Sequence, residues 1–298
     1  MARLFYCDQP AIPLPASHKF PIQKYGLLRG LLVSDGFFRL EAAPFAAREA
    51  IELAHDAGYV RGFLEGTLDT RVMRRIGFPW SEGLVRRTLA SVGGTLCAAQ
   101  DALESGLGGN LAGGTHHAFR GEGSGFCVFN DIAVAILSLR AQGRIAKAAV
   151  VDLDVHQGDG TALIFANDPG VLTLSMHGRN NFPFRKQQSR IDAALPDGTG
   201  DEEYLAVLDS LLPQVFAFGP EMIFYQSGVD PLAGDKLGRL ALTHAGLIAR
   251  DRKVMAMAKD RGIPLAVTLG GGYADPISRT AEAHANTFRT AAEVFGSL

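Results

Sequence analysis

The sequence predicts an α/β protein, a single-domain open parallel sheet with helices on both faces. Three observations predict it. Short β-branched or apolar runs alternate with longer helical patterns along the whole chain. The central runs, such as Ala148-Ala149-Val150-Val151, are apolar at every position rather than every second one, as strands buried on both faces require. No internal repeat and no linker of biased composition interrupts the alternation, so residues 1–298 are expected to form one catalytic-sized domain.

In chain order, strands are expected over residues 3–7, 109–112, 147–154, 171–176, 222–226 and 264–269. Before the second of these, Val85, Leu89, Val92, Leu96, Ala99 and Leu103 step by four and three, the apolar stripe of a helix for which Ser81 is the N-cap. Gly93-Gly94 in its middle costs about 1 kcal/mol each against alanine, which points to close packing there. A second helix over about 243–261 stops at Gly262, with Pro264 just beyond. Such strand–helix alternation means right-handed crossovers, and function in these sheets gathers in loops at the carboxyl ends of the strands.

Composition narrows the classes. The 298 residues are 47% hydrophobic and 20% charged, with a net charge of −2, so no basic surface argues for nucleic acid. Cys7, Cys97 and Cys127 are odd in number and widely spaced, which suits a reducing cytoplasm better than a disulfide framework. The opening residues, MARLFYCDQPAIPLP, contain no signal-peptide apolar run, and no segment reaches the roughly 18 apolar residues of a membrane span.

Four polar clusters each follow an expected strand: Gly113-Gly114-Thr115-His116-His117, then Asp152 to Gly160 (DLDVHQGDG), then Ser227-Gly228-Val229-Asp230, then Gly270-Gly271-Gly272-Tyr273. In the second, Asp152, Asp154 and His156 at every other residue of extended chain project to one side. Desolvating them together is costly without a cation, or without a neighbouring helix for the carboxylates to cap. Oxygen and imidazole donors without thiolate suit a borderline divalent metal such as zinc, and Asp230 can complete a three-ligand set with an open position. Asp152 and Asp159 are surplus to that set and free to hold an imidazole Nδ1–H each. Three glycines allow close backbone approach to a ligand, and the phenol of Tyr273 at their end is a ready oxyanion donor.

GGTHHAF, GFCVFND, DLDVHQGDG, GVDPLAGDKLG and LGGGYA stand in the order and spacing of the metal-dependent histone deacetylase family, which this chain resembles from His18 to Tyr273. Ile76-Gly77-Phe78-Pro79-Trp80 and the compact length look most like the class IV branch and its bacterial relatives. The resemblance implies the arginase–deacetylase fold and hydrolysis of acyl-lysine protein or peptide, or of a small acyl-amine. It implies one Zn2+ held by Asp154, His156 and Asp230. His116 and His117 become an acid–base pair backed by Asp152 and Asp159, and Tyr273 polarises the amide carbonyl. Gly125, Phe126 and Phe182 wall a tunnel that Leu237 and the Gly271 carbonyl complete. It also implies K+, one ion at Asp152, Asp154, His156, Ser175 and Met176, another around Phe165, Asp168 and Val171. Gln157 replaces a second histidine of many relatives. The rim aspartate of some relatives has no clear place, Asp69 being the one candidate.

Two other functions fit the same fold. An arginase-like two-manganese ureohydrolase needs further carboxylates where Gly158 and Leu232 stand, so its second metal is lost. A non-catalytic binder of acyl-amines would have shed a proton-transfer group or the oxyanion donor, and all are present. Protein, polyamine and metabolite substrates stay open. The class IV resemblance implies a preference for long fatty-acyl chains, for which Gly113-Gly114, Gly123, Ser124 and Cys127 are expected to leave room.

Overall fold

The computed structural model describes residues 2–9, 12–15 and 17–296. In chain order the elements are β1 (Arg3–Tyr6), α1 (Gln23–Asp35), β2 (Arg39–Ala42), α2 (Arg48–Glu52), α3 (Ala57–Glu65), α4 (Thr70–Ile76), α5 (Glu82–Ser105), β3 (Leu107–Asn110), α6 (Asp131–Ala141), β4 (Ala148–Asp152), α7 (Asp159–Ile164), β5 (Val171–Gly178), β6 (Ile191–Leu195), α8 (Asp201–Ala217), β7 (Met222–Gln226), α9 (His244–Asp260), β8 (Leu265–Thr268) and α10 (Ile277–Phe295). All eight strands pair in parallel in the order β2-β1-β3-β8-β7-β4-β5-β6. This is the open parallel sheet of the arginase–deacetylase α/β fold.

The sheet is sandwiched. Ala149 and Val151 of β4 face one apolar core with Leu208 of α8, Val254 of α9 and Phe288 of α10; Ala148 and Val150 face the other, with Val134 and Ile136 of α6 and Phe63 of α3. Burial on both sides explains why β4 is apolar from Ala148 to Val151. The four central neighbours, β3, β8, β7 and β4, are the strands whose carboxyl ends carry the four polar clusters, so the topology gathers residues more than 150 positions apart. Among the described residues no helix is long and apolar enough to cross a membrane.

Several boundaries differ from expectation for physical reasons. The third strand is Leu107–Asn110, not 109–112. Gly108 accepts α5 at backbone contact, a Cβ there falling 1.9 Å from the Ala98 oxygen, and Gly109 makes room for Leu4 and Phe288, so packing overrides weak strand propensity. The ladder of β4 ends at Asp152, and the chain bends through Asp154 to His156 rather than staying extended. β2 and β6 were not foreseen because RLEA and IDAAL are half-exposed edge strands without an apolar run.

Helix α5 starts as expected, with Ser81 Oγ accepting from Leu84 N at 3.1 Å. Of the expected stripe Val92 and Ala99 are fully buried and Val85, Leu89, Leu96 and Leu103 are half-buried against the core, while the buried face also takes in Leu84, Thr88, Thr95, Ala98 and Ala102. Small residues face the sheet so that the helix can lie close. A Cβ on Gly93 would sit 1.9 Å from the Pro44 carbonyl oxygen and one on Gly94 2.7 Å from Asn110 Oδ1. Helix α9 is capped by Thr243, whose Oγ1 accepts from Gly246 N.

Candidate active site

The loop after β3 carries His116 and His117, both buried, with rings 4.1 Å apart. His116 Nδ1 lies 2.7 Å from Asp152 Oδ2, and His117 Nδ1 lies 2.6 Å from Asp159 Oδ1. Asp152 is the last residue of β4 and Asp159 the first of α7, so one loop supplies both partners. Their electrostatics diverge. Burial works against charge on His116, yet Asp152 and Asp154 raise it to about 9; burial and the neighbouring His116 push His117 down to about 4. The two imidazoles are therefore inequivalent, the carboxylates favouring the charged form of His116 and burial the neutral form of His117.

The bend after β4 brings Asp154 and His156 against Asp230, which arrives from the loop after β7. His156 Nδ1 is 3.0 Å from Asp154 Oδ1 and 3.1 Å from Asp230 Oδ2. The three donor atoms lie within 4.8 Å of one another, the one such grouping of His, Cys, Asp or Glu among the described residues. Backbone donors aim the carboxylates: Gly271 N reaches Asp154 Oδ2 at 2.6 Å and Val155 N reaches Asp230 Oδ1 at 2.8 Å. Burial and the Asp154 carboxylate push Asp230 up to about 7. Two buried carboxylates around one imidazole leave an excess of negative charge, and an O, N, O donor set of this size fits a divalent cation such as zinc. The arrangement holds no further carboxylate at Gly158 or Leu232 for a second ion.

Gly271 must be glycine. A Cβ there would fall 1.8 Å from Asp230 Oδ2, so the triple-glycine segment lies directly against the cluster. At its end Tyr273 N donates to Asp235 Oδ2 at 2.6 Å. Burial chiefly, and then Tyr25 and Asp230, hold its phenol well above the ordinary range, so it stays an O–H donor.

A cavity of about 1480 Å³ opens onto these groups and is lined by Gly125, Phe126, Phe182, Leu237, Gly271 and Tyr273. The Phe182 ring meets His117 edge-on at 4.9 Å, and Phe126 lies 6.3 Å from the Tyr273 ring. Asn181 Nδ2 donates to the Leu237 carbonyl at 2.6 Å, joining two of its walls. Ser175 stands opposite Asp152 in the β4–β5 ladder, with Met176 next to it. Phe165, Asp168 and Val171 form a separate turn at the start of β5, with Asp168 N donating to Phe165 O at 3.0 Å. Asp69 does not line the cavity; its side chain caps α4 by accepting from Arg71 N at 2.7 Å.

Three supporting residues were not singled out from sequence. Asp131 accepts from Thr95 Oγ1, Thr115 Oγ1, Thr115 N and Gly114 N, fixing the loop that carries the histidines. Its signal was available, since Asn130-Asp131 is a helix-start pair after an apolar run. Asp235 ties Tyr273 to the Asp230 loop, accepting also from Leu237 N and Gly238 N. The fully buried Arg250 donates to the carbonyls of Leu153 and Gly228, behind the Asp–His–Asp cluster. Nothing in a helix pattern marks such an arginine, because its partners are distant in sequence.

Fold and site together define an α/β protein of the arginase–deacetylase class. Within that class the chain belongs to the histone deacetylase family, whose domain model (Histone deacetylase domain) matches residues 18–288. It is 47% identical over 290 residues to an uncharacterized protein of Picosynechococcus sp., covering 95% of this chain and 96% of that one. Histone deacetylase 2 of Arabidopsis thaliana is 34% identical over 270 residues, 86% of this chain and 70% of the relative. A probable deacetylase of Archaeoglobus fulgidus is 33% identical over 261 residues, 82% and 71%. The family makes this chain a hydrolase.

Proposed function

We propose that the chain, as one catalytic unit, is a zinc-dependent amidohydrolase that removes acyl groups from lysine-type amines. The observation that carries the reading is the adjacency of the Asp154–His156–Asp230 cluster to two imidazoles, each hydrogen-bonded to its own carboxylate. Zinc bound by those three residues supplies Lewis acidity toward the amide carbonyl and acidifies water.

The protein's own groups move the protons. Neutral His117, donating from Nδ1 to Asp159, presents Nε2 as the base that accepts a proton from water. His116, whose charged form Asp152 favours, stabilises negative charge developing on the carbonyl oxygen, and the proton taken from water is passed by the imidazole pair to the departing amine. Tyr273 donates its O–H to the oxyanion. Gly125, Phe126, Phe182 and Leu237 flank the alkyl stem, and the products are an amine and a carboxylate.

Potassium is proposed at Asp152, Asp154, His156, Ser175 and Met176 and around Phe165, Asp168 and Val171. The first of these rests on the family resemblance alone; at the second, Phe165 O accepts one hydrogen bond, from Asp168 N, and keeps a lone pair for a cation.

The acyl end reads differently from the simple expectation. Gly113 and Gly123 do not open space, since a Cβ at either would fall 2.3 Å from Asp131 Oδ2 or 2.4 Å from Cys127 O. Behind Phe126 and Gly113, however, lies an adjoining cavity of about 60 Å³ lined by Ile12, Phe78, Leu84 and Val128. That is the space of roughly two waters, enough to extend an acetyl group by a few carbons. Hydrolysis of acetyl-, octanoyl- and myristoyl-lysine in one peptide by the zinc-loaded protein tests both parts. Turnover of at least one, abolished by Asp230→Ala, is expected; no turnover of any refutes the amidohydrolase reading. Acetyl should exceed octanoyl and octanoyl should exceed myristoyl, and a steady rise to myristoyl refutes the limit set by the cavity.

A further inference from the structure

The mouth of the cavity carries a charge bias that the proposed chemistry leaves unused. Six exposed cations line it, Arg74, Arg75, Arg120, Arg185, Lys236 and Arg239, against one carboxylate at the rim, Glu122. The other two lining carboxylates, Asp154 and Asp159, are buried among the catalytic groups. With a net charge of −2 on the whole chain, the bias is local to this opening.

Half of these cations are neutralised: Arg75 pairs with Glu122 at 2.6 Å, Lys236 with Asp275 at 2.9 Å and Arg239 with Asp197 at 3.2 Å. Arg74, Arg120 and Arg185 make no ion pair among the described residues, although each is close to the opening. They come from three separate places: the last turn of α4, the loop between β3 and α6, and the loop between β5 and β6. Positive charge therefore reaches the opening from three separate segments.

We infer that the preferred substrate is an acyl-lysine set in an acidic peptide, with Asp or Glu flanking the modified residue; the inference rests on the amidohydrolase reading. The acylated side chain is itself uncharged, so the rim cations act on its scaffold. Charges spread over three segments suit several carboxylates along an extended chain. A small molecule with one carboxylate would instead need a convergent clamp. A polyamine or a lysine-rich tail meets like charge at the same rim, which lowers both encounter rate and affinity.

The test compares three capped peptides that differ only in four flanking positions: Glu, Gln or Lys around one acetyl-lysine. An exposed ion pair contributes roughly 1.5- to 5-fold, so kcat/KM should fall at least tenfold from the Glu to the Lys peptide at 20 mM salt. The spread should shrink at 0.5 M salt, where screening acts within a few ångströms. In the triple variant R74E/R120E/R185E the Glu-to-Gln ratio should drop to one or below. Equal kcat/KM for the three peptides, a Lys peptide that is best, or a salt-independent order overturns the inference while leaving the hydrolytic reading intact. Free Nε-acetyl-lysine acid outperforming the Glu peptide assigns the rim to a small carboxylate and overturns the peptide assignment. Should none be hydrolysed, the hydrolytic reading fails separately, and titration calorimetry of the same peptides still decides the rim preference, equal affinities overturning it.

Discussion

Replacing Gly271 by alanine adds one methyl group, on a residue that contributes no side chain to the site. Its φ lies outside the left-handed region, so alanine brings no backbone strain of its own. The new Cβ, however, would sit 1.8 Å from Asp230 Oδ2, 2.6 Å from its Cγ and 3.0 Å from Asp154 Oδ2. Ordinary contact begins near 3.4 Å, so the carboxylate or the 270–273 segment must yield by about 1.5 Å in a close-packed site. Overpacking of this kind costs about 1–3 kcal/mol of stability, which a domain of this size tolerates. Function has less latitude, since a displacement of about 1 Å costs on the order of 100-fold in rate. Disturbing a metal ligand through its neighbour weakens binding by roughly 10–100-fold. Zinc retention is measured by chelator competition, kcat/KM on an acyl-lysine peptide beside it, and folding by thermal melting. The expected result is a folded protein with weakened zinc and at least 100-fold less activity. A folded variant that holds zinc and turns over like the parent refutes the claim that this glycine sets Asp230. Gly30→Ala in α1 is the control: nothing lies within 4 Å of its added Cβ, and stability should rise by up to about 1 kcal/mol.

Tyr273→Phe should leave zinc content unchanged and lower kcat by about 100-fold or more, read in steady-state kinetics; undiminished kcat assigns the oxyanion to another donor. Asp131→Ala strands the Gly114 and Thr115 amides, while the Thr95 and Thr115 hydroxyls keep the Ser91 and Phe129 carbonyls as acceptors; it should cost about 2 kcal/mol or more in urea unfolding, with loss of activity because the histidine loop loses its anchor. His55 and His177, buried and both lowered to about 4 chiefly by burial, imply a pH effect on stability. The unfolded chain takes up these protons near pH 6.5 and the folded one only near 4. The stabilising contribution of these two groups should therefore be complete above about 6.5 and fall by up to roughly 2.7 kcal/mol per pH unit between those values. His55→Gln should change the slope by up to about 1.4 kcal/mol per pH unit, and an unchanged slope removes His55 as a contributor.

By itself the sequence determined the sheet class, because strands covered on both faces must be apolar at every position, as Ala148 to Val151 are. It also placed all four polar clusters, since His-His, the Asp–x–Asp–x–His run and a glycine triplet ending in tyrosine are legible without coordinates. Edge strands escaped it, because half-exposed RLEA and IDAAL bury too little to leave a pattern. Of the buried face of α5 it showed only part: the apolar stripe packs on the core, but alanines, threonines and glycines outside it lie against the sheet. What only the tertiary structure decided is convergence. The strand order β3-β8-β7-β4 brings His116, Asp154, Asp230 and Tyr273 to one end of four adjacent strands. A bend after Asp152, not an extended face, then separates the carboxylate that holds His116 from the one that faces His156. The anchors Asp131, Asp235 and Arg250, and the unpaired cations of the rim, belong to the same category. Each is defined by partners or neighbours from other segments, and such distances are set by packing rather than by any local pattern in the chain.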